Sequence, residues 1–231
     1  MIQFVLMDIE GTTTSIGFVH NELFPYASEN LSAFVAEQRS RPKVQAVLDS
    51  VKETALAEGQ GGISDDEAVS LLLSWIKADR KHTALKTLQG YLWRRGYEKG
   101  DYQGHIYPDV VPVWDRWKAL GISLGIYSSG SVEAQKLLFS YSDYGDLTPY
   151  LDAYFDTKIG HKREVSSYHA IQSALQIPAE QILFLSDVEA ELDAALAAGY
   201  QITQIVRNGT EPSLKHPLAL DFEECFALHR Y

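Results

Sequence analysis

A single cysteine, Cys225, in 231 residues excludes an intramolecular disulfide and any zinc site built from several thiolates. Its setting, Asp-Phe-Glu-Glu-Cys-Phe-Ala-Leu-His ending at His229, reads as a buried structural thiol in a final helix. Basic residues are also scarce. The 20 Lys and Arg against 31 Asp and Glu leave a net charge of −11, which disfavours partners held through a phosphate backbone or an anionic membrane surface. Neither nucleic acid nor membrane is an expected partner. An anionic small substrate stays open, because a bound cation and a few local lysines decide the field inside a pocket. No apolar run approaches the roughly eighteen residues of a membrane helix, and Asp8 falls where a signal peptide would keep its apolar stretch, so a cytoplasmic protein is expected. No metal-ligand spacing accompanies His20, His82 or His105, which read as surface or loop histidines. There is no internal repeat and no low-complexity tract.

What is present starts at the N-terminus. The apolar run Ile2 to Met7 stops at Asp8 and continues Asp8-Ile9-Glu10-Gly11-Thr12-Thr13-Thr14. A strand through Phe4, Val5 and Leu6 delivers Asp8 and Glu10 to its carboxyl end, where open α/β sheets bind ligands. Alternation along an extended chain sends both carboxylates out on one face. Two convergent carboxylates suit a hard cation such as Mg²⁺, and Asp is also a nucleophile that forms aspartyl-phosphate. Gly11 permits a turn that a Cβ would hinder, and Thr12 to Thr14 offer hydroxyls and amides to an anion. Alone, the motif reads slightly better as a strand ending in a polar turn.

Apolar spacing from Ile16 to Gln38 reads as a helix interrupted at Pro25, and Val44, Val47, Leu48, Val51 and Ala55 form a second helical stripe. Ser64 followed by Asp65, Asp66 and Glu67 looks like an N-cap with acids in the first turn. A further helix runs from about Thr83 to Arg95. Beyond Pro108, strands alternate with helices, with short apolar strands over 122–127, 182–185 and 202–206. Such alternation implies βαβ units and a doubly wound parallel sheet, giving an α/β core of residues 1–14 and 105–231 with a helical domain, 15–104, inserted. The length also accommodates one large domain or a main domain with an insertion.

Three of the strand ends carry polar groups: Asp8 and Glu10, then Ser128 and Ser129, then Asp187. A parallel sheet brings these ends to one edge. The turn Ser128-Ser129-Gly130-Ser131 at a helix start suits a phosphate, although such turns are commonly structural. Lys162 stands ahead of a predicted helix, where a cation opposes the dipole and wants a reason. Glu191, four residues beyond Asp187, faces back on the strand end from the first helical turn, as an N-cap and its first-turn acid also would. The stretch Tyr91-Leu92-Trp93-Arg94-Arg95 reads as helix packing with a basic exposed end.

The combination of Asp8-Ile9-Glu10-Gly11-Thr12, Ser128, Lys162, and Asp187 with Glu191 resembles the four ordered motifs of the haloacid dehalogenase superfamily, whose cap domain is inserted between the first two. Glu10 departs from the Asp that most phosphatases of that superfamily carry as general acid/base. The segments Leu23-Phe-Pro-Tyr26, Ile126 to Ser131, Phe155 to Lys162 and Phe184 to Asp187 extend the likeness, from Ile2 to about Gly199, to its enolase-phosphatase family of methionine salvage. The resemblance implies a Mg²⁺-dependent enzyme, one ion per subunit, that enolises 2,3-diketo-5-methylthiopentyl-1-phosphate and dephosphorylates the enol to an acireductone.

It further implies Asp8 as nucleophile, Glu10 in proton transfer, and Lys162 with Ser128 and Ser129 on the phosphoryl oxygens. The cation would be held by Asp8, Asp187 and the Glu10 backbone carbonyl, with Glu191 holding its waters or orienting Lys162. Cap residues would exclude water and read the methylthio end of the small phosphorylated diketone. A monomer is expected. A generic phosphatase acting on another small ester, or a non-catalytic phosphometabolite-binding module, stands as the alternative.

Overall fold

Six strands form one parallel sheet in the computed structural model, which describes residues 1–231. They are β1 (Phe4–Met7), β2 (Ser123–Tyr127), β3 (Ala153–Phe155), β4 (Ile182–Ser186), β5 (Gln201–Ile205) and β6 (Leu218–Ala219). Their order is β3-β2-β1-β4-β5-β6, and every neighbouring pair is parallel. The order reverses beside β1, which pairs with β2 on one side and β4 on the other, so the crevice at a topological switch point opens past Met7. All of β1 and β4 is buried, as expected of apolar strands covered on both faces. The sheet outlasts the last strand expected from sequence by one, β6, whose two residues are too short to show a period.

The chain divides into two compact units, one of Met1–Phe18 with Gln103–Tyr231 and the other Val19–Tyr102. A short helix, α1 (Ile16–Phe18), and a π-helical turn (Val19–Leu23) precede α2 (Phe24–Gln38), α3 (Pro42–Ala57), α4 (Asp65–Lys77) and α5 (Thr83–Lys99). Pro25 does not interrupt the first of these. It lies in the first turn of α2, where its missing N–H has no intrahelical acceptor to lose, and the irregularity is the π turn before it. Ser64 and Glu67 form a full capping box on α4, and Gly100 ends α5 in the left-handed conformation at φ 73°. Leu31, Val35, Leu48, Val51, Leu72, Leu88 and Leu92 are among the buried residues of this unit's own core. No helix is long and apolar enough to cross a membrane.

The sheet is flanked by α6 (Val110–Ala119), α7 (Val132–Ser140), α8 (Val165–Leu175), α9 (Glu189–Ala197) and α10 (Phe222–Leu228), the last holding the fully buried Cys225. Tyr168 of α8 centres the packing. Its ring meets those of Tyr127, Phe184 and Tyr200 edge to face at centroid distances of 5.7, 5.3 and 5.6 Å. Gly125 on β2 has no room for a side chain: a Cβ there would lie 2.5 Å from Phe4 Cζ and 3.2 Å from the Ala153 carbonyl oxygen. Phe4 is itself buried and cannot swing away. Gly125→Ala is therefore expected to cost about 1–3 kcal/mol by overpacking, read from the urea unfolding midpoint. A loss under about 0.5 kcal/mol would show that the sheet absorbs the extra methyl.

Candidate active site

Asp8 follows β1, Ser128 follows β2 and Asp187 follows β4, so three adjacent strands deliver these residues to one edge. The loop after β3 brings Lys162. Asp156 shapes that loop, accepting hydrogen bonds from the amides of Lys158 (2.8 Å) and Val132 (3.2 Å). Tyr168 Oη then donates to the Lys162 carbonyl at 2.6 Å, and Tyr127 Oη to the Gly160 carbonyl at 2.9 Å. Two core tyrosines thus hold the main chain on which Lys162 is mounted.

Lys162 is buried, and its Nζ lies 2.6 Å from Asp8 Oδ1 and 2.6 Å from a Glu191 oxygen. That is the reason for a cation ahead of α8. Burial alone would lower its pKa, but Asp8 and Glu191 outweigh burial and hold the ammonium above its ordinary value. Glu191 is pushed up to about 7 by burial and then by Asp8, with Lys162 pulling the other way. Asp8 Oδ1 also accepts from the Ile9 amide at 2.7 Å, whereas Oδ2 has a 3.5 Å contact from Ser186 Oγ. Ser186 donates more closely to Glu191, at 2.9 Å. Asp8 is therefore gripped through one oxygen, and the other is left the freer to react.

The Glu10 carboxylate accepts a hydrogen bond from Ser128 Oγ at 3.3 Å. Burial and then the Asp8 charge raise its pKa, a combination that keeps a carboxyl ready to exchange protons. Ser128 is fully buried, while Ser129 is exposed at the strand end. Neither Asp187 nor Glu191 caps α9, whose N-cap is Val188 without a side-chain bond.

The three threonines are placed differently from the anion-binding expectation. The amides of Thr12, Thr13 and Thr14 all turn onto the Ile9 carbonyl, at 3.2, 2.9 and 3.0 Å. Their hydroxyls are also committed: Thr12 Oγ1 accepts from the Asp187 amide, Thr13 Oγ1 meets the Asp8 carbonyl, and Thr14 Oγ1 bonds the His105 carbonyl. They build the turn. His105 likewise serves this turn, accepting from the Ser15 amide through Nδ1 at 3.1 Å.

Asp187 carries the clearest sign of an absent counter-charge. Its Oδ1 is buried with no hydrogen-bond partner, and the carboxyl is pushed up to about 6 by burial and then by Asp8. The space beside it exists because residue 11 is glycine, at φ +75°, where a Cβ would lie 2.4 Å from Asp187 Oδ2. Hard oxygen donors, one of them unsatisfied, fit a divalent cation such as Mg²⁺. No three Asp, Glu, His or Cys side chains gather at ligand spacing. A cation would accordingly use Asp8 and Asp187 together with main-chain or water oxygens, consistent with the Glu10 side chain being turned to Ser128.

Several contributors escaped the sequence reading: Ser186, Tyr168, and the buried polar residues Gln204 and Arg207 beyond it on and after β5. Gln204 alone left a signal, a long amide side chain between the apolar Ile202 and Ile205 of its strand.

Residues 2–199 match the family model of the haloacid dehalogenase-like hydrolases. A Picosynechococcus sp. protein named Enolase-phosphatase E1 is 54% identical over 229 residues, covering 99% of this chain and 100% of that one. A Klebsiella oxytoca protein of the same name is 49% identical over 224 residues, covering 97% and 96%. Among solved structures, the UTR4 protein of Saccharomyces cerevisiae superposes with a TM-score of 0.80 at 34% identity, covering 97% of this chain and 100% of that one.

The raised Asp187 carboxyl sets a pH dependence. Its folded pKa, about 6, lies above an unfolded value of about 3.9, so the folded chain binds the extra proton between those limits. Its contribution to stability is complete below about pH 4 and is lost as the pH rises through about 6. In thermal melts of the cation-free protein, Asp187→Asn is expected to gain stability over the parent as the pH rises from 4 to 7. Added Mg²⁺ should raise the parent's melting temperature more at pH 7 than at pH 5. A parent–variant difference that stays flat with pH would contradict the assignment.

Proposed function

The chain belongs to the haloacid dehalogenase-like hydrolases and, within them, to the enolase-phosphatases, and from that membership and the site geometry we infer how its side chains divide the reaction. The activity is enolisation of 2,3-diketo-5-methylthiopentyl-1-phosphate followed by dephosphorylation of the enol to the acireductone 1,2-dihydroxy-3-keto-5-methylthiopentene, a step of methionine salvage. The observation that carries the division of roles is Lys162 held between Asp8 and Glu191 at the strand ends.

Asp8 is the nucleophile. Oδ1 stays bonded to Lys162 and the Ile9 amide, and Oδ2 attacks phosphorus in line, so the P–O bond to the enol breaks and an aspartyl-phosphate forms. Water then attacks phosphorus, releases inorganic phosphate and restores the carboxylate. Lys162, together with the hydroxyls of Ser128 and Ser129, binds the remaining phosphoryl oxygens. Phosphoryl transfer is mainly positioning plus charge stabilisation, and Lys162 is held by Asp8 and Glu191 before substrate arrives. Asp8, Asp187 and the Glu10 carbonyl would hold Mg²⁺, which would supply positive charge against the phosphoryl oxygens.

Glu10 handles the protons. It moves one from the carbon next to the ketone to the ketone oxygen during enolisation, and the proton it then takes from the hydrolytic water it returns to the oxygen that left phosphorus. Its hydrogen bond to Ser128 places it on the side of the nucleophile away from Glu191, whose carboxylate is engaged with Lys162 and Ser186. Glu191 orients Lys162. The helical unit, Val19–Tyr102, is assigned the part of the cap on the strength of its position in the chain.

Absorbance and phosphate release, recorded together after mixing protein, Mg²⁺ and the diketo phosphate with an EDTA control, test this reading. The enediol chromophore and stoichiometric phosphate should both require Mg²⁺. Asp8→Asn is expected to abolish phosphate release with the fold intact, and retained turnover would remove Asp8 from the nucleophile role. Glu10→Gln should slow the rate by about 10²–10⁴-fold, and a rate within tenfold of the parent would remove Glu10 from proton transfer.

A further inference from the structure

A network on the β5 side of the site joins the loop after Asp8 to the loop after β4, and none of its side chains is among those assigned to the chemistry. Arg207, two residues past β5, forms a forked pair with Asp109 at 2.9 and 2.8 Å; the two side chains are 7% and 14% exposed. The same guanidinium donates to the Thr12 carbonyl through Nε (3.3 Å) and Nη2 (3.1 Å) and lies 4.0 Å from the centroid of the Tyr107 ring. Thr12 Oγ1 in turn accepts from the Asp187 amide at 3.1 Å. On the other side, Gln204 Nε2 donates to the Asp187 carbonyl at 2.9 Å and to the Glu211 carbonyl at 3.0 Å, while its Oε1 accepts from the Ser213 amide at 2.6 Å.

Both main-chain polar groups of Asp187 are therefore tied, its N–H to Thr12 and its C=O to Gln204. Its carboxylate, by contrast, keeps one buried oxygen with no protein partner. The division matters. A backbone fixed at both ends aims the free carboxylate without neutralising it, which is what a cation ligand needs. Burying an amide, a guanidinium and a carboxylate is costly in an α/β core unless every bond is made, and here the bonds converge on the two loops of one site.

Resting on the cation reading above, we propose that Arg207 and Gln204 are positioning residues that set the cation affinity of the site by fixing Asp187 against the loop after Asp8. Neither touches the reacting atoms. Arg207→Lys retains a charge for Asp109 but cannot fork to Asp109 and reach Thr12 together. Thr12→Val keeps the shape of the buried side chain and removes only the acceptor of the Asp187 amide.

Calorimetric titration of the folded parent and both variants with MgCl₂, with no substrate present, tests the proposal. In each variant the Mg²⁺ affinity should fall by about 10- to 100-fold, while melting without cation shows a folded protein. In turnover assays the Mg²⁺ concentration for half-activation should rise in step, and kcat at saturating Mg²⁺ should stay near the parent's; a general loosening of the fold would lower kcat instead. Unchanged Mg²⁺ affinity in the variants, with the parent binding normally, overturns the positioning role and leaves the cation reading standing. No binding by the parent overturns both. If Arg207→Lys does not fold, Thr12→Val decides.

Discussion

One buried ammonium holds the site together. Asp8, Glu10, Asp187 and Glu191 are brought to the same strand edge, and Lys162 is the cation among them, paired at 2.6 Å with Asp8 and with Glu191. Removing it would leave two desolvated carboxylates facing each other, which costs several kcal/mol or forces protonation. Much of the core is arranged to place that one side chain. Tyr168, wedged among three aromatic rings, bonds the Lys162 carbonyl, and Tyr200 Oη bonds the Tyr168 carbonyl at 2.8 Å. Even so the charges do not balance, since four acids face one base. The raised pKa values of Asp187, Glu191 and Glu10 are the other half of this imbalance, and a divalent cation relieves it at Asp187, where an oxygen has no partner.

The parts of this arrangement that depend on local periodicity were legible in the sequence. Alternating apolar strands and helices gave the parallel sheet, and the polar residue ending each of β1, β2 and β4 gave Asp8, Ser128 and Asp187. The capping box at Ser64 was visible because both of its partners lie within three residues. What stayed hidden depends on contacts between distant segments. Asp109 and Arg207 are 98 residues apart, and nothing in their spacing announces a fork. A two-residue β6 and a five-residue π turn are shorter than any pattern that could reveal them. The threonines after Gly11 misled for a related reason: hydroxyls and amides in a row suggest an anion cradle, but whether they face outward depends on how tightly the chain turns on the Ile9 carbonyl.

Glu10 shows how one methylene can redirect a site. An Asp here would keep its carboxylate close to the main chain beside Asp8, where two like charges compete. The longer side chain reaches across to Ser128, which terminates a neighbouring strand, and spreads the negative charge along the edge. That reach suits the proposed enolisation, because the proton to be moved sits on a carbon of the substrate and not on the oxygen leaving phosphorus. The same hydrogen bond carries a cost. Ser128 Oγ has a single proton, and while it is given to Glu10 it is withheld from a phosphoryl oxygen; substrate binding must therefore exchange one acceptor for the other.

That exchange is tolerable only if the rest of the edge does not move with it. The nucleophile and the cation-binding carboxylate are accordingly held through their backbones by groups that take no part in chemistry: Asp8 by the Leu185 carbonyl accepting its amide at 2.9 Å, Asp187 by Thr12 and Gln204. The anchor for Thr12 is Arg207, and the anchor for Arg207 is Asp109, whose Oδ2 also accepts from the Phe222 amide at the start of α10 at 2.8 Å. The first turn of the C-terminal helix is in this way linked by consecutive bonds to the loop that follows the nucleophile. A parallel sheet alone would fix the strand ends but not the loops beyond them, where the carboxylates sit. The polar residues buried on and after β5 supply that second constraint, and they explain why a core strand retains the amide of Gln204.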